Sequence, residues 1–239
     1  MSETPLGRHH STVKAPPADL KASDLHVLRV GPGTKHEVFY RAHNLTREDE
    51  STPTNVLCES RYYSSSSQNA DAEAVGGRFD LPKPFGTCNT ASDPSTALYE
   101  RFGPKNMAGS TRETFKNTSV TVLRPIKQLL LADFTKPSPH IIPGDMSGPL
   151  DNDGYGITQQ WAKKMKALGF DGIYGRSRFG AGFCFYIFGT AGEHTDLLAI
   201  AGSNSAWNVY QEMQRVILPE DMDSNLLEAT NAVPPKDNG

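Results

Sequence analysis

A chain of 239 residues is long enough for one domain with polar extensions, and an apolar content of 37% supports a core while falling below the globular average. A formal charge of −3 gives no electrostatic case for a nucleic-acid or membrane partner, and no apolar run approaches the roughly 20 residues of a membrane span. Three widely spaced cysteines, Cys58, Cys88 and Cys184, read as buried thiols of a reducing compartment and not as a disulfide frame or a zinc site.

Residues 1–20 are rich in Ser, Pro and His and have no apolar h-region, which predicts a disordered lead and no Sec-type signal peptide. The expected location is therefore the cytoplasm, or the cytoplasm of a target cell reached through a signal-independent secretion system. One domain is expected over residues 21–218, with a polar tail over 219–239. His36-Glu-Val-Phe-Tyr-Arg-Ala predicts the first strand, with Val38 and Tyr40 on one face and Arg41 near its end. Residues 44–72 form a long polar insertion, a length that in a compact domain marks function or disorder. Asn44-Leu-Thr and Asn117-Thr-Ser match the glycosylation pattern and read as chance matches.

Gly76 and Gly77 give the backbone freedom just before Arg78, and a strand is expected from Gly86 to Ala91. Asp93-Pro94 reads as N-cap and first helical residue of a helix over Ser95–Phe102, which Gly103-Pro104 stops. Leu98 and Phe102, four apart, should face the core and leave Glu100 on another side. Strands are expected at Ser119–Leu123 and Gln128–Asp133. A second helix carries Ile157, Trp161, Met165 and Leu168 as one apolar stripe, with lysines on its solvated side and Gly169 at its end. A strand over Phe170–Tyr174 leads into Gly175-Arg-Ser-Arg178. The apolar run Phe183–Phe188 predicts a central strand buried on both faces. A short strand at Leu197–Ala201 and a helix from Trp207 to Leu218 complete the series. Helix and strand alternate irregularly, so the fold class is α+β.

Several familiar sites are absent. Gly180-Ala-Gly182 lacks a third glycine and precedes a strand, so it is no dinucleotide-binding turn; no Walker A or Gly-x-Ser-x-Gly sequence occurs. The seven histidines show no ligand spacing with Cys, Asp or Glu, and no metal is expected. What remains is a constellation: Arg41 on a strand, Arg78 after two glycines, Glu100 on a capped helix and Ser177 in a Gly-rich turn. Each has an ordinary explanation as a solvated charge or a turn former. Together they can aim cations and a carboxylate at one ligand.

In these pieces the chain resembles the RES-domain family, named for its Arg, Glu and Ser motifs, whose members include toxins of bacterial toxin–antitoxin pairs. The pieces stand in the family's order: Phe39-Tyr-Arg41; Gly77-Arg-Phe-Asp80; Phe85 through Glu100; Leu129-Leu-Leu-Ala-Asp133; and Tyr155–Trp161 followed by Asp171-Gly-Ile-Tyr-Gly-Arg-Ser-Arg178. The match spans about residues 36–200. One departure is clear: the family commonly has a tyrosine eleven residues before the glutamate, and here that position is Asn89.

The resemblance implies a fold similar to ADP-ribosyltransferase toxins, with mixed, mainly antiparallel sheets and flanking helices around an NAD cleft. It also implies cleavage of the nicotinamide–ribose bond of NAD+, with phosphate or water as acceptor. NAD+ is then a substrate, and no cofactor is expected. Guanidinium forks suit its diphosphate, which makes Arg41 and Arg78 the candidates. Glu100 would stabilise the oxocarbenium-like ribosyl centre and Ser177 would hydrogen-bond the substrate. Tyr40, Asn89 and Tyr174 complete the substrate-binding set. Such an enzyme implies a cognate antitoxin or immunity protein. Two alternatives stay open: mono-ADP-ribosyl transfer to a protein target, and a catalytically quiet module that binds a nucleotide or protein in the same cleft.

Overall fold

The computed structural model describes residues 13–49, 52–57, 60–66, 76–107, 110–147, 155–193 and 197–217. In chain order the first strands are β1 (Val27–Val30), β2 (Phe39–Asn44), β3 (Thr46–Asp49), β4 (Thr52–Leu57), β5 (Tyr62–Tyr63), β6 (Ser65–Ser66), β7 (Leu81–Pro82) and β8 (Phe85–Ala91). Helices α1 (Pro94–Met107) and α2 (Arg112–Phe115) follow, then β9 (Thr118–Pro125) and β10 (Leu129–Asp133). Helices α3 (Pro143–Ser147) and α4 (Gly156–Ala167) lead to β11 (Gly172–Arg176), β12 (Phe183–Thr190), β13 (Gly192–Glu193), β14 (Leu198–Ser205) and α5 (Ala206–Ile217).

Eight strands form one sheet in the order β1-β10-β11-β12-β8-β2-β9-β14. The β10–β11 ladder is parallel, while the other ladders of this sheet are antiparallel. This is the mixed, mainly antiparallel α+β arrangement expected. The apolar run of β12 explains its inner position. Cys184, Tyr186 and Phe188 point to one face and join Trp161 and Met165 of α4. Phe185 and Ile187 point to the other and join Phe39, Tyr63 and Leu129. A third cluster joins Leu98 of α1, Phe115 of α2, Val120 of β9 and Val209 of α5. Each fully buried Phe or Leu contributes roughly 1.5–3 kcal/mol relative to an exposed one.

Local chemistry sets the helix ends. Asp93 caps α1 through its Oδ1, which accepts the Thr96 N–H at 2.8 Å, and Pro94 takes the first helical position. Gly103, at φ 72°, breaks the helix where Gly103-Pro104 predicts a stop, and helical turns resume to Met107.

The structure differs from expectation in three places. Residues 13–20, expected within a disordered lead, pack on α4: Trp161 Nε1 donates to the Lys14 carbonyl at 2.8 Å, Lys164 Nζ to that of Ala18 at 2.7 Å, and Leu20 is buried. Residues 1–12 and the expected tail over 219–239 lie outside the described residues. The strand expected to come first is the second, β2: it follows β1 and runs from Phe39 to Asn44, which puts Arg41 inside it. The polar insertion over 44–72 contains the β3–β4 ribbon, with β5 laid across the sheet. A Cβ at Gly86 would lie 2.6 Å from the Tyr63 carbonyl oxygen, and one at Gly189, its register partner, 2.7 Å from the Tyr63 ring. The glycine pair is the seat that admits this strand. Cys88 and Cys184 are buried free thiols as expected, while Cys58 lies outside the described residues.

Candidate active site

β2 and β8 share one register pair, Tyr40 with Ala91, and then part. Antiparallel continuation would have made Arg41–Thr90 and Ala42–Asn89 the next rungs. Instead these four residues line a cleft of about 200 Å³, together with Tyr40, Ala91, and Ala97, Glu100 and Arg101 of α1. The fork therefore brings four predicted site residues to one place: Tyr40, Arg41, Asn89 and Glu100. A larger cavity of about 480 Å³ lies between residues 13–17, Pro139–Ile142 and Trp161, but no carboxylate or arginine lines it, so it offers no comparable chemistry.

Glu100 is held from the opposite side by the turn after β11. Its Oε1 accepts the Ser177 hydroxyl at 2.5 Å and the Arg178 N–H at 2.8 Å. The Ser177 Oγ in turn accepts the N–H groups of Phe179 at 3.2 Å and Gly180 at 2.8 Å. A hydroxyl has one donor and two acceptor positions, and all three are engaged within the protein. Ser177, expected to hydrogen-bond the substrate, is placed here on Glu100. Below the carboxylate, burial pushes the Cys184 and Tyr186 groups well above their usual range, and the charge of Glu100 adds to that push while Arg78 opposes it.

The two arginines part company. Arg41 Nη1 donates to the Tyr62 carbonyl at 2.6 Å and to Cys88 Sγ at 2.7 Å, which ties β2 to β5 and β8 beside the cleft. Arg78 is 7% exposed and is not among the cleft-lining residues; its Nη1 donates to the Met146 carbonyl of α3 at 2.7 Å. Its turn is pinned further by Gln159 of α4, whose Nε2 donates to the Gly77 carbonyl at 3.1 Å. The bond to Met146 braces the Arg78 turn against α3, while the Arg78 charge acts on the same Cys184 and Tyr186 groups as Glu100.

Tyr174 is not among the cleft-lining residues. It sits among His36, Phe183 and Phe185 in the aromatic cluster on β11, and its hydroxyl is pushed up to about 12, mainly by burial. Two residues that the sequence did not single out belong to the neighbourhood. Arg101 lines the cleft beside Glu100. Asp80, buried, accepts the Gly77 N–H at 2.6 Å, and burial pushes its carboxyl from 3.8 to about 6 against the pull of that bond and of Arg41. The Gly-Arg-Phe-Asp spacing was the signal that could have found it, since Asp80 closes the turn that begins at Gly77. Among the described residues no group of His, Cys, Asp and Glu could hold a metal ion, and no helix is long and apolar enough to cross a membrane.

The RES domain model matches residues 52–208, more than half of the chain. The chain belongs to the RES-domain family. The matched range holds Arg78, Asn89, Glu100 and Ser177, while Tyr40 and Arg41 lie just before it. Among solved structures, a chain of the M. tuberculosis MbcT–MbcA toxin–antitoxin complex is similar to this RES-domain chain at 16% identity, with a TM-score of 0.48 and coverage of 75% of this chain and 89% of that one. No curated protein matches in sequence.

Proposed function

We propose that this RES-domain chain cleaves the nicotinamide–ribose bond of NAD+, with phosphate or water as acceptor. The observation that carries the reading is Glu100, held at the wall of a cleft by Ser177 and the Arg178 N–H, with Arg41 in the same lining. A cavity of about 200 Å³ is smaller than the roughly 300–1,000 Å³ that enclose a whole drug-sized ligand, so it suits one end of a dinucleotide.

Departure of nicotinamide leaves positive charge on the ribosyl centre, and a fixed carboxylate stabilises that charge without reorganising as it forms. Ser177 and the Arg178 N–H supply the fixing. Nicotinamide leaves as a neutral molecule and requires no strong general acid, which suits a cleft whose lining, among the described residues, includes no histidine. Arg41 is the candidate for a phosphate oxygen, since its guanidinium is already oriented by Tyr62 and Cys88. Tyr40 and Asn89 are the candidates for contacts to the nicotinamide ribose end.

Depletion of NAD+ would harm the cell that makes such an enzyme, so a neutralising antitoxin or immunity protein belongs to the proposal. One observation favours a second reading: Asn89 is exposed in the cleft where the family commonly carries a tyrosine, as a nucleotide-binding module without turnover would allow. Incubation of the purified protein with NAD+, with and without inorganic phosphate, followed by product identification, separates the readings. Free nicotinamide with ADP-ribose or its 1″-phosphate supports cleavage. Intact NAD+ under both conditions contradicts it, and ADP-ribose attached to protein would indicate transfer.

A further inference from the structure

We infer that Arg101 is a phosphate-binding residue of the cleft that Arg41 also lines; this rests on the reading of the cleft as the NAD+ site. α1 presents Arg101 directly after Glu100, and both line the cleft with Arg41. Arg101 Nη2 donates to the Asn44 Oδ1 of β2 at 2.7 Å, a neutral partner that orients the guanidinium without neutralising it. Arg41 is oriented in the same way, by a carbonyl and a thiol. Among the described residues neither forms an ion pair with a carboxylate within 4.0 Å. The cleft lining thus carries two cations against one carboxylate, on a chain whose formal charge is −3.

His43, two residues after Arg41 on β2, lies in the field of both arginines. Burial lowers its pKa first, its bond to the Asn44 carbonyl raises it, and the charges of Arg41 and Arg101 lower it further. Its ring bonds to the Asn44 carbonyl and the Thr121 hydroxyl, which holds it between β2 and β9. Two oriented guanidiniums in one cleft match a phosphoryl group, whose oxygens accept paired N–H donors in a geometry that a lysine cannot copy. Two sources share that chemistry: the diphosphate of the dinucleotide and inorganic phosphate as acceptor. If Arg101 served only to clamp α1 to β2 through Asn44, its loss would lower stability and leave anion affinity alone.

The test uses the full chain, with Arg101→Gln and Arg101→Lys beside the wild type. Nicotinamide release gives KM for NAD+ and for inorganic phosphate, and calorimetry gives the affinity for inorganic pyrophosphate, a probe that needs no turnover. Loss of a charged hydrogen-bond donor predicts that Arg101→Gln raises one of the KM values about 10-fold or more and weakens pyrophosphate binding similarly, with the lysine variant between. A rise confined to NAD+ assigns the dinucleotide diphosphate; a rise confined to phosphate assigns the acceptor. Unchanged KM values and unchanged pyrophosphate affinity overturn the assignment, even if the thermal midpoint falls. Should the wild type release no nicotinamide, the NAD+ reading fails by itself. Pyrophosphate then decides on Arg101: weaker binding by the glutamine variant sustains it, and equal or absent binding removes it.

Discussion

At the scale of single residues, the Ser177 hydroxyl has one proton and two lone-pair positions, and Glu100, Phe179 and Gly180 occupy all three. Ser177→Ala removes the donor to the carboxylate and leaves two N–H groups without their acceptor. The expected cost is about 1–2 kcal/mol of stability by urea denaturation. Steady-state kinetics should show kcat lowered about 10-fold as Glu100 loses its orientation, with KM for NAD+ little changed. A selective rise in KM would instead return Ser177 to a substrate contact. Asp80 gives a pH prediction. Its folded carboxyl is raised to about 6, so between about pH 4 and 6 the unfolded chain ionises first and the folded state loses stability as pH rises. The full loss, reached above about pH 6, is of order 3 kcal/mol. Asp80→Asn keeps an oxygen for the Gly77 N–H and carries no charge. Its stability should therefore decline less than that of the wild type across that window, and parallel curves would contradict the account.

At the scale of elements, the turn after β11 is fastened to both parts of α1 that matter. Ser177 and Arg178 grip Glu100, while Gly182 lies on the helix N-terminus, where an added Cβ would come within 2.3 Å of both Asp93 Oδ2 and Thr96 Oγ1. Gly182→Ala should push the cap apart and cost roughly 1–3 kcal/mol, through overpacking and loss of the Asp93 cap. A thermal midpoint equal to that of the wild type would show that the cap can yield. The helix itself was legible in the sequence because its signals are local: an Asp-Pro start, apolar residues four apart, and a Gly-Pro stop. The direction of the Tyr174 side chain was not legible, for want of a local signal. β11 is buried on both faces, so Ile173 and Tyr174 are both apolar and alternation says nothing about which one turns toward the site. The bond of Arg78 to the Met146 carbonyl was not legible, because that partner is 68 residues away and carries no side-chain signature.

At the scale of the whole molecule, the site is made by a place where the sheet stops pairing. β2 and β8 could have continued for several rungs, and the residues of the missing rungs line the cleft. No periodicity encodes such a fork, since both strands read as ordinary strands that share a single register pair. The order of the motifs revealed the family and the irregular alternation of helix and strand the α+β class; the sheet order came from the structure. The same scale explains why net charge said little about the ligand, because a cleft with two guanidiniums and one carboxylate sits in a chain of formal charge −3. The central claim is that Glu100 stabilises the ribosyl cation, and the rate of nicotinamide release from NAD+ by wild type and Glu100→Gln tests it most directly. The account predicts a rate about 100-fold lower or more in the variant, with an unchanged thermal midpoint. Nicotinamide release at the wild-type rate by a folded Glu100→Gln protein would contradict it.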